Sequence, residues 1–220
     1  MGKKWKDIDE LFSALNQNCN YLILRNFEEI KQPGFVTGRH PDIDILCDDF
    51  TRFKNCIHPV ANPFYYHPYR HYWVNIDCYK IKIGIRSIGN FYYDPKWEQD
   101  MLANRVFHPD GFYTPDAENY LYSLLYHALL QKPCIAEDYL LRFKDMGCDA
   151  QSTDELLTVL YRYMRKKKYH VTCPKDITIP MQLDRVPDNL LLGKRSWEIR
   201  KKMKYPERVC RYLARRILKK

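Results

Sequence analysis

The sequence predicts an α+β fold: a mixed sheet with flanking helices over residues 1–110, then a mainly helical region over 111–220. Three observations carry this. Two stretches, 42–47 and 71–85, alternate apolar and polar residues with the period of a half-buried strand. Two others, 5–17 and 114–130, place apolar residues at the i, i+3, i+4, i+7 spacing of an amphipathic helix. The strand-like and helix-like patterns come one after another with loop signals between them, as in a layered α/β chain.

The elements follow in order. Ile8, Leu11, Phe12 and Leu15 form the apolar stripe of a first helix. Tyr21-Leu22-Ile23-Leu24 is a short apolar run suited to a buried strand, and residues 26–41, with Pro33, Gly34, Gly38 and Pro41, read as a loop. Asp42-Ile43-Asp44-Ile45-Leu46-Cys47 alternates as a strand, after which Asp48 or Asp49 caps a short helix carrying Phe50 and Phe53. Residues 71–78 and 80–85 form either one long bent strand or a tight hairpin. Asp94-Pro95 opens a helix with Trp97, Met101 and Leu102 on its apolar side, by the rule that a capping residue precedes a first-turn proline.

Thr114-Pro115 opens the clearest helix, striped by Leu121, Leu124, Leu125, Ala128 and Leu129 and stopped by Pro133. Ser152-Thr153-Asp154-Glu155 has the spacing of a capping box, and its helix closes in Arg165-Lys166-Lys167-Lys168, where cations suit the carbonyl end. Prolines 174, 180 and 187 break 171–193 into strand-like or irregular pieces. Helical periodicity returns over 196–220, interrupted at Pro206.

Composition excludes several classes. Hydrophobic residues are 45% of the chain, enough to fold, yet no segment reaches the ~20 apolar residues of a membrane span. Asp7, Asp9 and Glu10 stand where a signal peptide needs an apolar stretch, so the expected location is the cytoplasm. The eight cysteines contain no CxxC pair and suit neither zinc nor a compact disulfide framework. Charge is divided unevenly: residues 160–220 carry 19 Lys and Arg against 5 Asp and Glu, while the rest carries 17 against 22. The C-terminal third is built for a polyanionic surface.

The chemistry concentrates in Gly38-Arg39-His40-Pro41-Asp42-Ile43-Asp44. On a strand, residues i and i+2 share a face, so Asp42 and Asp44 project together while Ile43 and Ile45 enter the core. Two adjacent carboxylates repel unless a cation lies between them, and Mg²⁺ or Mn²⁺ fits by its preference for oxygen ligands. Asp77, in the alternating run Trp73–Cys78, supplies a third acid.

At these residues the chain resembles the nucleotidyltransferase superfamily, the DNA polymerase beta-like fold, over roughly residues 8–90. The features are a helix, an apolar strand ending in Leu24-Arg25-Asn26, a D-x-D strand, and a later strand acid. The likeness is greatest to divergent bacterial members linked to polysaccharide and cell-surface biosynthesis. It implies that Asp42, Asp44 and Asp77 hold Mg²⁺ or Mn²⁺ and act in catalysis. It further implies a nucleoside triphosphate or nucleotide-activated donor and a small-molecule or glycan-linked acceptor. The family's Gly-Ser turn is absent, so Arg25 and Asn26, or Gly38 and Arg39 from the loop, take over phosphate contact, with Lys80 as a further cation. Lys82 reads as part of a solvated strand face.

A cleft is expected between the sheet and the helices from 115 onward, with Arg25, Lys80 and His127 nearest; a packed core histidine is the other reading of His127. His67 and His71 are four apart, but Pro68 argues against a helical metal pair. In 206–220, Val209, Tyr212, Leu213 and Ile217 fall on one helical face and Arg208, Arg211, Arg215 and Lys219 on another. That helix either lies on an anionic membrane surface, placing the protein peripherally at its inner face, or packs on its own domain. The alternative to an enzyme is an inactive nucleotidyltransferase-like module that binds a polyanion through its basic third. No RNA-binding signature points to nucleic acid.

Overall fold

The computed structural model describes residues 3–32, 34–37, 42–60 and 72–203. In chain order these form β1 (Lys4–Trp5), α1 (Ile8–Asn18), β2 (Tyr21–Ile23), β3 (Asp42–Cys47), α2 (Phe50–Ile57), β4 (Tyr72–Ile76), β5 (Tyr79–Ser87) and α3 (Pro95–Ala103). Then follow β6 (Val106–Phe107), β7 (Tyr113–Thr114), α4 (Ala117–Leu130), α5 (Glu137–Asp145), α6 (Thr153–Lys167), β8 (Val171–Thr172), β9 (Leu191–Leu192) and α7 (Lys194–Met203). The fold is α+β, as the alternation and the stripes predict. Gly38, Arg39, His67, His71 and the basic helix expected over 206–220 lie outside the described residues.

Helix starts are set by side chains that meet otherwise unpaired N–H groups. The Asp7 carboxylate accepts from Glu10 N at 2.8 Å, Asp49 from Arg52 N at 2.9 Å and Asp94 from Lys96 N at 2.8 Å. Ser152 and Glu155 form the expected reciprocal box. At α4 the cap is Asp116, two residues beyond the expected Thr114, because its carboxylate reaches Asn119 N at 2.8 Å. Thr114 instead pairs with Val106 in a small hairpin. Helix α5 is unforeseen in the sequence; its only buried residue is Phe143, so it carries almost no apolar stripe to read.

The main sheet has the order β1-β4-β5-β3-β2 and mixes parallel and antiparallel pairs. Its two faces are different environments. Tyr21, Ile23, Ile43, Ile45, Val74, Ile76, Ile81, Ile83 and Ile85 pack with Leu11, Phe12 and Leu15 of α1 and Phe53 and Ile57 of α2. Each strand alternates, so its other residues go to the opposite face. There Leu22, Leu24 and Leu46 join Tyr92, Tyr93, Trp97, Met101 and the buried residues of α4 and α6 in a second core. Sheet and C-terminal helices therefore share that core across position 110. Beyond these leucines the second face becomes polar, and the candidate site lies there.

Residues 72–87 resolve the open choice in favour of a tight hairpin, with Ile76 facing Tyr79 across the turn Asp77-Cys78. Asp77 takes φ 48° there, a left-handed conformation that aspartate tolerates in two-residue turns.

Candidate functional site

Register decides which side chains meet at the polar end of the sheet. On β3 and β5, Asp42 pairs with Lys82, Asp44 with Gly84 and Leu46 with Arg86. On β5 and β4, Lys82 pairs with Trp73 and Lys80 with Asn75. Asp42, Asp44, Lys82, Gly84 and Arg86 thus share one face. Lys82, expected in solvent, is half-buried opposite Asp42 with its ammonium 5.2 Å over the Trp73 ring; Lys80 is the exposed one, at the rim.

The Leu24 N–H donates to Asp44 O at 2.8 Å, extending the β2–β3 pairing by one residue and delivering Arg25 to the acids. Arg25 Nη2 donates to Asp44 Oδ2 at 2.5 Å, and Nη1 donates to the Tyr92 hydroxyl at 3.1 Å. Both partners of this ion pair are nearly enclosed, with side chains 10% and 15% exposed. Burial works against the guanidinium charge, and the Asp44 carboxylate overcomes it with help from Tyr92 and Tyr93, so the Arg25 pKa stays well above its ordinary value. Arg86 lies 4.7 Å over the Tyr92 ring.

The network continues into α4. The Tyr92 hydroxyl lies 3.4 Å from His127 Nδ1, and Nδ1 is 2.8 Å from Gln131 Oε1. His127 is 8% exposed. Burial first, and the nearby Arg25 second, hold its pKa down to about 3, so the ring is neutral at pH 7. The cleft expectation therefore brings Arg25 and His127 to one network and leaves Lys80 outside it. Tyr92, Arg86 and Gln131 were missed in the sequence; only Gln131, one turn after His127, carries a signal there.

Asn26 is engaged elsewhere. It adopts φ 55°, and its Oδ1 accepts from Arg142 Nη1 of α5 at 2.8 Å. Arg142 also lies 3.7 Å from Glu28 and 3.8 Å from Glu29.

Asp77 does not reach the other two acids, contrary to the expected convergence. It sits two strands away from Asp42, roughly 10 Å, and four residues further along β4 than the Trp73 level, roughly 13 Å. Its side chain is 63% exposed and pairs with Lys4 Nζ at 3.3 Å, which holds its pKa below the usual value. The alternating run that suggests a strand acid ends one residue too early, in the turn.

A two-metal centre needs a third carboxylate beside the pair. Next to Asp42 and Asp44 the neighbouring strand offers Lys82 and Gly84, and a cation at Asp44 would have to displace Arg25. Among the described residues, no group of three or more His, Cys, Asp or Glu is placed to hold a metal ion. Among the described residues, the donor set on this face lacks the third carboxylate of such a centre. Among the described residues it sets three cations, Arg25, Lys82 and Arg86, beside two carboxylates, a balance that suits an anion.

No known protein family, curated protein or solved structure matches the chain.

Proposed function

We propose that this polar face binds a phosphorylated ligand, in a nucleotidyltransferase-like module whose paired acids are balanced by the chain's own cations. The observation that carries the reading is the Arg25–Asp44 ion pair, with Lys82 and Gly84 opposite the two acids. Guanidinium and ammonium groups in a partly dry site make short, charge-assisted hydrogen bonds to phosphate oxygens. Asp42 and Asp44 orient those cations. A ligand phosphate would draw first on Lys82, which is half-buried opposite Asp42, since Arg25 is committed to Asp44.

The test is thermal shift with inorganic triphosphate, nucleoside triphosphates and nucleotide-sugars, in EDTA and then with Mg²⁺ or Mn²⁺. The expected result is stabilisation in EDTA that is lost in Lys82→Glu. No shift under either condition would overturn the proposal.

A second reading has one observation in its favour: Asp42 and Asp44 lie two apart on one face, as the resemblance requires of metal ligands. It is Mg²⁺-dependent nucleotidyl transfer to a small or glycan-linked acceptor. Stabilisation that appears only with the metal ion, together with donor hydrolysis or transfer, would establish it instead.

A further inference from the structure

Helix α7 is fastened by Trp197 and Arg200 and exposes its apolar side. The Trp197 side chain is buried against Cys173 and Ile177, and its backbone N–H donates to Gly193 O at 3.0 Å. At 3.6 residues per turn, Ile199 lies about 160° round the helix from Trp197, and Met203 about 40° from Ile199. These two residues therefore point away from the protein, and they are 49% and 75% exposed. Leu192, just before the helix, is exposed as well.

Cations flank this strip. Arg195 and Lys202, both exposed, lie within about 60° of Ile199 on one side. Arg200, half-buried on the other side, is turned back to the protein: its Nε donates to Ser196 O at 3.4 Å and its Nη1 to Lys175 O at 3.5 Å. Lys194 and Lys201 are exposed further round, with the Lys201 ammonium 4.6 Å over the Trp197 ring. Glu198 is the one acid in the helix. The sequence after Met203 adds seven Lys and Arg against a single Glu.

We infer that α7 is a contact for an anionic lipid bilayer. An aliphatic strip facing solvent, bordered by cations, matches the two layers of a bilayer interface: Ile199 and Met203 enter the acyl boundary while Arg195 and Lys202 meet lipid phosphates. Single-stranded nucleic acid is a poorer complement, because it is gripped by exposed aromatic rings and the helix's only ring is turned inward. No helix among the described residues is long and apolar enough to cross a membrane, so the contact is peripheral.

The test is flotation of the full chain with phosphatidylcholine vesicles and with vesicles containing phosphatidylserine. Wild-type protein should float with the anionic vesicles at low salt, stay down with the neutral ones, and be released as salt rises. The double variant Ile199→Asp, Met203→Asp should lose at least tenfold in partitioning with an unchanged melting temperature, since neither side chain packs in a core. A less drastic pair, Ile199→Ser and Met203→Ser, should give an intermediate loss. Failure of the wild type to float with anionic vesicles would overturn the inference. So would equal flotation of the variants, which would assign binding to residues after 203, or retention by single-stranded RNA in place of vesicles.

Discussion

Glu98 offers the sharpest test of the electrostatics of this fold. It lies on α3 between Trp97 and Met101, is fully buried, and accepts hydrogen bonds from Gly89 N at 2.9 Å and Tyr93 N at 3.1 Å. Burial pushes its carboxyl from the ordinary 4.5 up to about 7, although the two N–H groups pull the other way. A carboxyl raised in the folded state contributes stability that is complete below pH 4.5 and is lost as pH rises through 7. At ~1.4 kcal/mol per pKa unit, the loss is about 3 kcal/mol. Glu98→Gln removes this dependence but turns an amide NH₂ toward one of the two backbone donors. That leaves a buried N–H unpaired, at a cost of about 1–3 kcal/mol at every pH. The variant should therefore melt below wild type at pH 5 and draw level or pass it at pH 8. For a chain of this size ~1 kcal/mol is about 2–4 °C, so the gap between the two curves should change by roughly 6–12 °C. Circular-dichroism melts of both proteins at pH 5, 6.5 and 8 measure it. Parallel curves, with a constant gap, would refute the reasoning, because they would mean that Glu98 titrates alike in the folded and unfolded chains.

Two further predictions concern the network at the acids. Arg25→Met should cost about 3–5 kcal/mol in urea denaturation, because Asp44 loses the guanidinium that compensates its charge; a loss below ~1 kcal/mol would contradict an enclosed ion pair. His127→Gln should change the acid side of the stability profile. A histidine whose folded pKa is held down contributes stability above pH 6.5 that is lost as pH falls toward 3. The wild-type stability minus that of the variant should therefore shrink between pH 6.5 and 4, and a difference that stays flat would show that the ring is open to solvent.

The local grammar of this chain was legible without coordinates. The period of two over residues 42–47 placed Asp42 and Asp44 on one face and Ile43 and Ile45 in the core, and the period of 3.6 identified the buried sides of α1 and α3, whereas α4 is buried all round from Ser123 to Leu130. Capping by Asp94 and Ser152 followed from residue type, because an N-cap is a contact over two or three residues. Such features depend on neighbours in sequence, so sequence determines them.

The composition of the site was decided elsewhere. Lys82 and Gly84 stand opposite the acids only because β5 aligns with β3 in one register, and a shift of one residue would have sent both to the other face. Asp77 is outside the site because β5 lies between β4 and β3 and the register puts Trp73, four residues earlier, at the level of Asp42. Arg25, Tyr92 and His127 come from segments 67 and 35 residues apart, joined by the packing of α4 and the loop before α3 on the sheet's second face. Glu98 carries no signal in the sequence; its burial comes from the loop that folds over α3 and ties two backbone N–H groups to it. Long-range pairing sets these charges side by side, and their energies depend on an enclosure that only the assembled tertiary structure creates.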